Sequence, residues 1–282
     1  MASATGVPER VVGNGGVAHH HAETEPLLGR PGDVAQADGG SFIKNLYIGT
    51  AAITQISILL LVVLIWASVL TKPLILFSGH PLAQSLAILT LVQSILLLQP
   101  THTAEQKRLG QRFHASLNLA AFLFLVAGVT IIEYNKLISN GAHFHSVHGY
   151  LGVISSFVLL AQYFVGFTIW ATPRLYGSVD NAKSIYKYHR WSGYLILTLL
   201  LATVVTATDT PYNYNVLKIP LWAVLLLAIL ILVGVYPRIQ NKSLVSRLQW
   251  LLECRAGKQK LSFASLSFRN LFTKDHGWKI YF

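Results

Sequence analysis

Six long apolar runs constrain the fold of this chain more than any other feature. A helix needs about 20 consecutive apolar residues to cross the hydrocarbon core of a bilayer. The chain is 53% hydrophobic and only 12% charged, against about 25% charged residues in ordinary soluble domains. The sequence therefore predicts an all-α membrane protein with six transmembrane helices. The runs lie near residues 51–70, 80–99, 114–133, 147–170, 190–208 and 219–236.

The basic residues are distributed unevenly between the loops. A net charge of +11 is compatible with nucleic-acid binding, but the distribution favours a membrane topology instead. If the first run leaves the cytosol, all of the 22 Lys and Arg except Lys72, Lys136 and Lys218 lie on the cytosolic side. The positive-inside rule then predicts that both termini are cytosolic, with no nucleic-acid partner. The single cysteine, Cys254, excludes an intramolecular disulfide and a cysteine-based metal cage.

Three regions follow from composition: a disordered cytosolic head (1–44), a six-span domain (45–237) and a basic cytosolic tail (238–282). The head contains Glu23, Leu27 and Leu28, which fit the acidic dileucine pattern of sorting adaptors, although such short motifs often occur by chance. The pattern favours an endosomal, lysosomal or vacuolar membrane, with the plasma membrane or another endomembrane as alternatives. The tail is interpreted as an amphipathic helix on an anionic leaflet or as a partly ordered basic segment.

Four histidines open the second to fifth runs: His80, His114, His148 and His189. A single histidine at such a position is usually hydrogen-bonded to water or to a carbonyl group. Consecutive spans are antiparallel, however, so the starts of spans two and four share one face and those of three and five share the other. We therefore expect His80 to meet His148 near the lumenal or extracellular face and His114 to meet His189 near the cytosol.

Two facing imidazoles in a helical bundle favour haem over zinc. Zinc usually takes four protein ligands, and no Cys, Asp or Glu accompanies either pair. A haem supplies four nitrogens itself and needs only two axial ligands. Gly128 and Gly166 lie where each helix would pass the second haem, and we interpret them as making room for it. Close helix–helix contact explains these glycines almost as well.

The segments GHPLAQSLA, RFHASLN, HFHSVHGYLG and YKYHRWSGYL carry a resemblance that covers about residues 45–237. The sequence resembles the cytochrome b561 superfamily, in particular the short, DOMON-free transmembrane reductases. The resemblance implies a four-helix core of spans 2–5 flanked by spans 1 and 6. It also implies two b haems, with axial pairs His80–His148 and His114–His189. The implied activity is that of an ascorbate-dependent oxidoreductase, which passes electrons from cytosolic ascorbate to a monodehydroascorbate radical or ferric iron.

The resemblance also implies where the donor and the acceptor bind. Basic residues ahead of the third- and fifth-span ligands hold the donor in the family, and Arg112 and Lys183 are the nearest equivalents. Topology-setting charge is the alternative interpretation. His143 and His145 could dock a ferric chelate or could be solvated loop residues. The resemblance leaves the oligomeric state open, a homodimer included. The neighbours of Arg112 and Lys183 are Lys107, Arg108, Lys187 and Arg190.

His148 is the predicted ligand among three clustered histidines. Gly149 and Gly152 leave space beside it, whereas the upstream Asn140-Gly141 pair predicts a turn that leaves His143 and His145 in a loop. A proton- or metal-coupled transporter using intramembrane histidines is the main alternative function, and a membrane scaffold is a third. A transporter would need acidic partners within the membrane, yet the sequence places acidic residues only at the ends of the runs.

Overall fold

A computed structural model describes residues 34–238, and within this range the chain forms helices and turns without strands. Six of the helices are long and apolar enough to cross a membrane. The prediction of an all-α, six-span membrane protein is therefore confirmed. The six helices are α1 (Ala51–Leu70), α2 (Gly79–Leu98), α3 (Ala104–Ser139), α4 (Val147–Ala171), α5 (Val179–Ala207) and α6 (Leu221–Val235).

Helices α3 and α5 are longer than their apolar runs, with 36 and 29 residues. Both begin earlier than predicted, because polar caps start them outside the apolar segment. Thr103 Oγ1 accepts from the backbone N–H of Gln106 at 3.2 Å in a capping box. Ser178 Oγ accepts from the N–H of Asn181 at 3.1 Å. We call the end of the bundle where α3 and α5 begin the basic end, and the end where α2 and α4 begin the opposite end.

The main core lies among α1, α2, α5 and α6. Thr50 Oγ1 and Thr54 Oγ1 of α1 donate to the carbonyls of Gly234 and Ile231 of α6, at 2.8 and 3.2 Å. Gly234 permits this close crossing, since a Cβ there would lie 2.7 Å from the Thr50 carbonyl oxygen. The largest fully buried apolar side chains come from these four helices: Ile58, Leu61, Leu96, Leu197, Leu201 and Ile231.

Helices α3 and α4 each pack against one helix of this core, which gives two antiparallel pairs. Helix α2 packs along α3, and α4 packs along α5, whereas α3 and α4 approach each other little. In α4 only Ser155 and Ile169 are buried among 25 residues. One stacked pair, Phe122 of α3 and Tyr163 of α4, joins the two pairs with ring centroids 4.8 Å apart. The four candidate histidines lie between the α2–α3 pair and the α4–α5 pair.

The predicted head, residues 1–44, needs a correction in the part that the structure describes. The N–H of Gln36 donates to the Pro100 carbonyl at 2.9 Å, and Asn45 Nδ2 contacts Gln36 Oε1 at 2.8 Å and the Leu97 carbonyl at 3.0 Å. Gln36 and Asn45 are both buried. The segment 34–44 therefore packs on the helices and is ordered. A buried Gln–Asn pair has no hydrophobic signature, which is why composition did not reveal it. The dileucine pattern at Glu23, Leu27 and Leu28, and the basic tail beyond Arg238, lie outside the described residues.

Candidate functional site

Two facing histidine pairs lie between the helix pairs, one towards each end of the bundle. At the opposite end, the ring centroids of His80 and His148 are 6.2 Å apart with planes 81° from parallel. At the basic end, His114 and His189 are 6.4 Å apart at 85°. These are the two pairs expected from the antiparallel order of the spans.

Three of the four imidazoles contact a backbone carbonyl through Nδ1. Because a carbonyl oxygen only accepts, Nδ1 carries the proton and Nε2 keeps a free lone pair. This tautomer leaves Nε2 available to bind a metal, and the carbonyl also fixes the orientation of the ring. The contacts are His80 to Gly128 at 2.9 Å, His148 to Thr203 at 2.8 Å and His114 to Ser94 at 3.4 Å.

The accepting residues occupy a regular position. Each stands 14 residues beyond a histidine of its own helix, a rise of about 21 Å in an α-helix. Each of these helices therefore carries a histidine at one level and holds a neighbour's histidine at the other. The two pairs occupy separate levels, about four helical turns apart. The residues concerned are Ser94 after His80, Gly128 after His114 and Thr203 after His189.

His189 is held differently from the other three. Its Nδ1 is buried and has no hydrogen-bond partner among residues 34–238. Gln162, which stands 14 residues beyond His148, donates from Nε2 to the His189 carbonyl at 2.6 Å and accepts from Ser192 Oγ at 2.7 Å. A Cβ on Gly166 would lie 2.7 Å from His189 Cε1. The position of His189 is therefore fixed by the hydrogen bond from Gln162 to its backbone carbonyl and by the packing of its ring against Gly166.

The two pairs fit the axial positions of a haem. Two imidazoles bound through Nε2 to one metal, with bonds of about 2.0 Å, bring the ring centres to about 6 Å from each other. The observed separations, 6.2 and 6.4 Å, match this arrangement. No group of three or more His, Cys, Asp or Glu occurs among residues 34–238 that could hold a metal by itself. A metal with its own equatorial nitrogens needs only the two ligands that each pair offers.

The four glycines near the pairs have different surroundings. A Cβ on Gly128 would overlap the side-chain amide of Gln84, just as one on Gly166 would meet His189. At both positions the neighbouring atoms therefore belong to protein side chains. Gly149 and Gly152 are more open, with the nearest atoms at 3.4 and 4.0 Å.

The basic residues named as the donor site lie on the helical extensions at the basic end. Arg112 is exposed two residues before His114. Lys183 is partly neutralised, because its Nζ lies 3.2 Å from Asp180 Oδ1. The ammonium of Lys187 lies 4.7 Å from the ring centre of its neighbour Tyr188. The exposed members of the set are Lys107, Arg108, Arg112, Lys187 and Arg190.

At the opposite end, the three clustered histidines separate. Helix α4 begins at Val147, capped by Ser146, so His148 lies in the first turn and faces His80. His143 and His145 are exposed in the loop before it. His143 Nδ1 lies 3.2 Å from Glu133 Oε2, and His145 Nδ1 donates to the Ala142 carbonyl at 2.9 Å. Neither loop histidine takes part in the facing pairs.

Besides Gln162, sequence reasoning missed two amides that brace the pairs. Asn118 Nδ2 donates to the His114 carbonyl at 2.6 Å and to Ser94 Oγ at 2.9 Å. Gln84 Nε2 donates to the Leu125 carbonyl across the α2–α3 contact at 3.2 Å. Both amides stand four residues after a paired histidine, one turn further on the same face. A polar amide at that spacing inside an apolar run is the signal that could have revealed them.

The sequence model of the family described as eukaryotic cytochrome b561 matches residues 79–212. This range contains all four paired histidines. The resemblance to cytochrome b561 is confirmed. The matched range begins at the first residue of α2 and ends after α5, so it coincides with the two helix pairs.

Similar proteins are named as ascorbate-dependent membrane reductases. The lysosomal membrane ascorbate-dependent ferrireductase of Bos taurus is 27% identical over 142 residues, covering 48% of this chain and 51% of the relative. The transmembrane ascorbate-dependent reductase of Bos taurus is 27% identical over 128 residues, covering 45% and 50%. The plasma membrane ascorbate-dependent reductase of Mus musculus is 28% identical over 153 residues, covering 52% and 48%. The chain thus spans about half the length of the curated relatives it matches.

Proposed function

We propose that this integral membrane protein transfers electrons across the bilayer through two b haems. The donor is a cytosolic reductant, ascorbate in the first instance, and the acceptor is a monodehydroascorbate radical or a ferric chelate on the other side. The proposal depends on one observation, the two pairs of facing imidazoles. The ring centres within each pair are 6.2 and 6.4 Å apart. The cytochrome b561 match over the same helices supports b-type haem as the group they hold.

Each imidazole pair would hold one haem through its Nε2 atoms. His80 and His148 would ligate the haem at the opposite end, and His114 and His189 the haem at the basic end. Each haem, when bound, supplies an iron that accepts and releases one electron. The carbonyls of Gly128, Ser94 and Thr203 keep the Nδ1 proton in place, so the ligands stay neutral and correctly turned as the charge on the iron changes.

The basic end would face the cytosol and bind the anionic donor. Exposed cations such as Arg112 and Arg190 lie next to His114 and His189. A cluster of cations raises the local concentration of a small anion and speeds its encounter with the site. Ascorbate would give one electron to the haem held there, release one proton to the cytosolic water and leave as a radical. Lys183 contributes less than Arg112, because Asp180 already neutralises part of its charge.

The opposite end would face the lumen or the cell exterior and deliver the electron. His143 and His145 are exposed there and are the candidate contacts for a ferric chelate. The Glu133 carboxylate, with Oε2 3.2 Å from His143 Nδ1, holds this imidazole at the opposite end. The names of the relatives include lysosomal and plasma membranes, so we propose an endosomal or lysosomal membrane first and the plasma membrane second. A homodimer and recognition by a sorting adaptor remain part of the proposal.

The transporter alternative has less support from the described residues. A relay of protons or metal ions needs carboxylates within the membrane. Glu133 pairs with His143 near the end of α3, and Asp209 accepts from the Tyr214 hydroxyl beyond the end of α5. Neither carboxylate contacts a paired histidine.

An optical spectrum of the purified full chain tests the proposal. We expect a red protein with a sharp α-band on reduction, two haems per chain by pyridine haemochromogen, and reduction by ascorbate. In vesicles loaded with ascorbate, an external ferric chelate should be reduced only when the protein is present. A colourless protein at full membrane insertion would exclude the electron-transfer function and leave the transporter and the scaffold.

A further inference from the structure

His80 lies at the end of a row of tilted aromatic rings formed with Phe77 and Tyr212, which we call the aromatic stack. The ring of Phe77, in a 3-10 turn (Leu76–Ser78) just before α2, lies 5.9 Å from the His80 ring centre. The ring of Tyr212, in the segment between α5 and α6, lies 4.4 Å from Phe77. Among the four paired histidines, only His80 has such a contact within residues 34–238, apart from the partner imidazoles. The His80 ring is therefore held by the Gly128 carbonyl and by the Phe77 ring.

The segment that carries Tyr212 is fixed by its neighbour Asn213. The buried Asn213 side chain donates to the carbonyls of Thr208 and Ile219, at 2.9 and 3.0 Å. Its Oδ1 accepts from the N–H of Ile219 at 3.0 Å. Three hydrogen bonds from one buried amide thus close the loop from the end of α5 to the start of α6. Tyr212 stands directly before this amide, so its ring is a firm support for Phe77.

We propose that the loop between α5 and α6 positions the His80 imidazole through Tyr212 and Phe77. The inference rests on the proposed function, in which His80 is an axial ligand. Tyr212 and Phe77 act as positioning residues and also shield the ligand from water. They do not carry electrons, because oxidising a phenol or a phenyl ring needs a far stronger oxidant than a ferric b haem.

The stack has a measurable consequence for the haem at the opposite end. A ferric haem carries one more positive charge than a ferrous haem, so admitting water stabilises the ferric form. Burial and the orientation of the axial ligand are both determinants of haem potential. Loss of the stack should therefore lower the midpoint potential of this haem and alter its low-spin electron paramagnetic resonance signal. The haem at the basic end should keep both properties.

The experiment compares ring-removing and ring-retaining variants of the full chain with both haems bound. Tyr212→Leu and Phe77→Leu should each lower the potential and shift the resonance signal at the opposite end. Tyr212→Phe should match the wild type, because the Tyr212 hydroxyl makes no hydrogen bond within residues 34–238. Phe113→Leu is the matched control at the basic end, since Phe113 precedes His114 and its ring centre lies 5.1 Å from that of Phe42 in a tilted contact. It should leave the signal at the opposite end unchanged.

Retention of the haem at the basic end reports that each variant is folded. If Tyr212→Leu loses both haems, the potential and the resonance signal of the Phe77→Leu variant decide the test. Unchanged potential and resonance signals in the folded ring-removing variants would overturn the positioning role. So would equal shifts in Tyr212→Phe or Phe113→Leu. Failure of the proposed function is recognisable separately, as a wild-type protein without haem or a His80→Ala variant that keeps the haem at the opposite end.

Discussion

Gly128 stands 14 residues beyond His114 on α3, and its carbonyl oxygen accepts the Nδ1–H of His80 at 2.9 Å. One helix thereby carries a histidine of one pair and orients a histidine of the other. Helices α2 and α5 do the same through Ser94 and Thr203. Because these acceptors belong to the main chain, substituting a histidine leaves the support of the other pair intact.

Loss of a histidine at the basic end should therefore remove one haem only. We expect His114→Ala and His189→Ala each to bind about half of the wild-type haem, because a haem needs both axial ligands. The haem that these two variants retain should give the spectral component that is missing from His80→Ala. Haem content and reduced spectra of the three variants check this. If His114→Ala and His80→Ala lost the same spectral component, the assignment of the pairs would be wrong.

The three clustered histidines should behave differently from one another. His148→Ala should abolish the haem at the opposite end, because His148 is the member that faces His80. His143→Ala and His145→Ala should keep both haems, since these side chains lie in the loop before α4. At most they should slow reduction of a ferric chelate. Loss of that haem in His145→Ala together with its retention in His148→Ala would reverse the assignment.

Reversing charge at the basic end should slow reduction by ascorbate. We expect Arg112→Glu combined with Lys183→Glu to slow it by about tenfold or more at low ionic strength, with a smaller effect in salt. Arg112→Glu alone should slow reduction more than Lys183→Glu alone, because Lys183 is already paired with Asp180. Stopped-flow reduction at equal haem content measures the rates, and Lys72→Glu, in the α1–α2 loop, is the control. Unaltered rates would leave the two residues as determinants of topology.

Gly166→Ala should disturb the haem at the basic end. In an exposed helix interior, replacing Gly by Ala normally stabilises by about 1 kcal/mol. Here the new Cβ would lie 2.7 Å from His189 Cε1, so the imidazole must shift. We expect weaker haem retention at that end and a changed spectrum. Gly141→Ala, in the loop after α3 where the nearest atom is Ser139 Oγ at 3.4 Å, should be tolerated. Equal haem retention in both variants would show that His189 can move freely.

The sequence predicted the six spans well because burial in lipid leaves a continuous apolar signal. It placed the start of α3 near residue 114 and that of α5 near 190, whereas the helices begin at Ala104 and Val179. The apolar pattern ends where the lipid ends. Each helix nevertheless begins earlier, at the cap Thr103 or Ser178, and its first turns are polar. The packing of residues 34–44 also escaped prediction, because Gln36 and Asn45 are buried through hydrogen bonds.

The candidate histidines could be selected from the sequence because each opens a span, and antiparallel order then paired them. The groups that orient them could not, since a backbone carbonyl is present at every residue. Only the spacing of 14 residues distinguishes Ser94, Gly128 and Thr203. The contact of Tyr212 with Phe77 joins distant parts of the chain, and no local pattern predicts it.

The main-chain origin of these acceptors also affects how the chain can diverge. A side chain that orients a ligand is lost by a single substitution, whereas a carbonyl persists as long as the helix does. Positions 94 and 203 can therefore change residue type without releasing the imidazoles they hold, provided that the new side chain fits. Selection at these two positions would act on helix register more than on residue identity. An insertion or deletion of one residue between His189 and Thr203 would rotate the acceptor by about 100° and be far more harmful than a substitution.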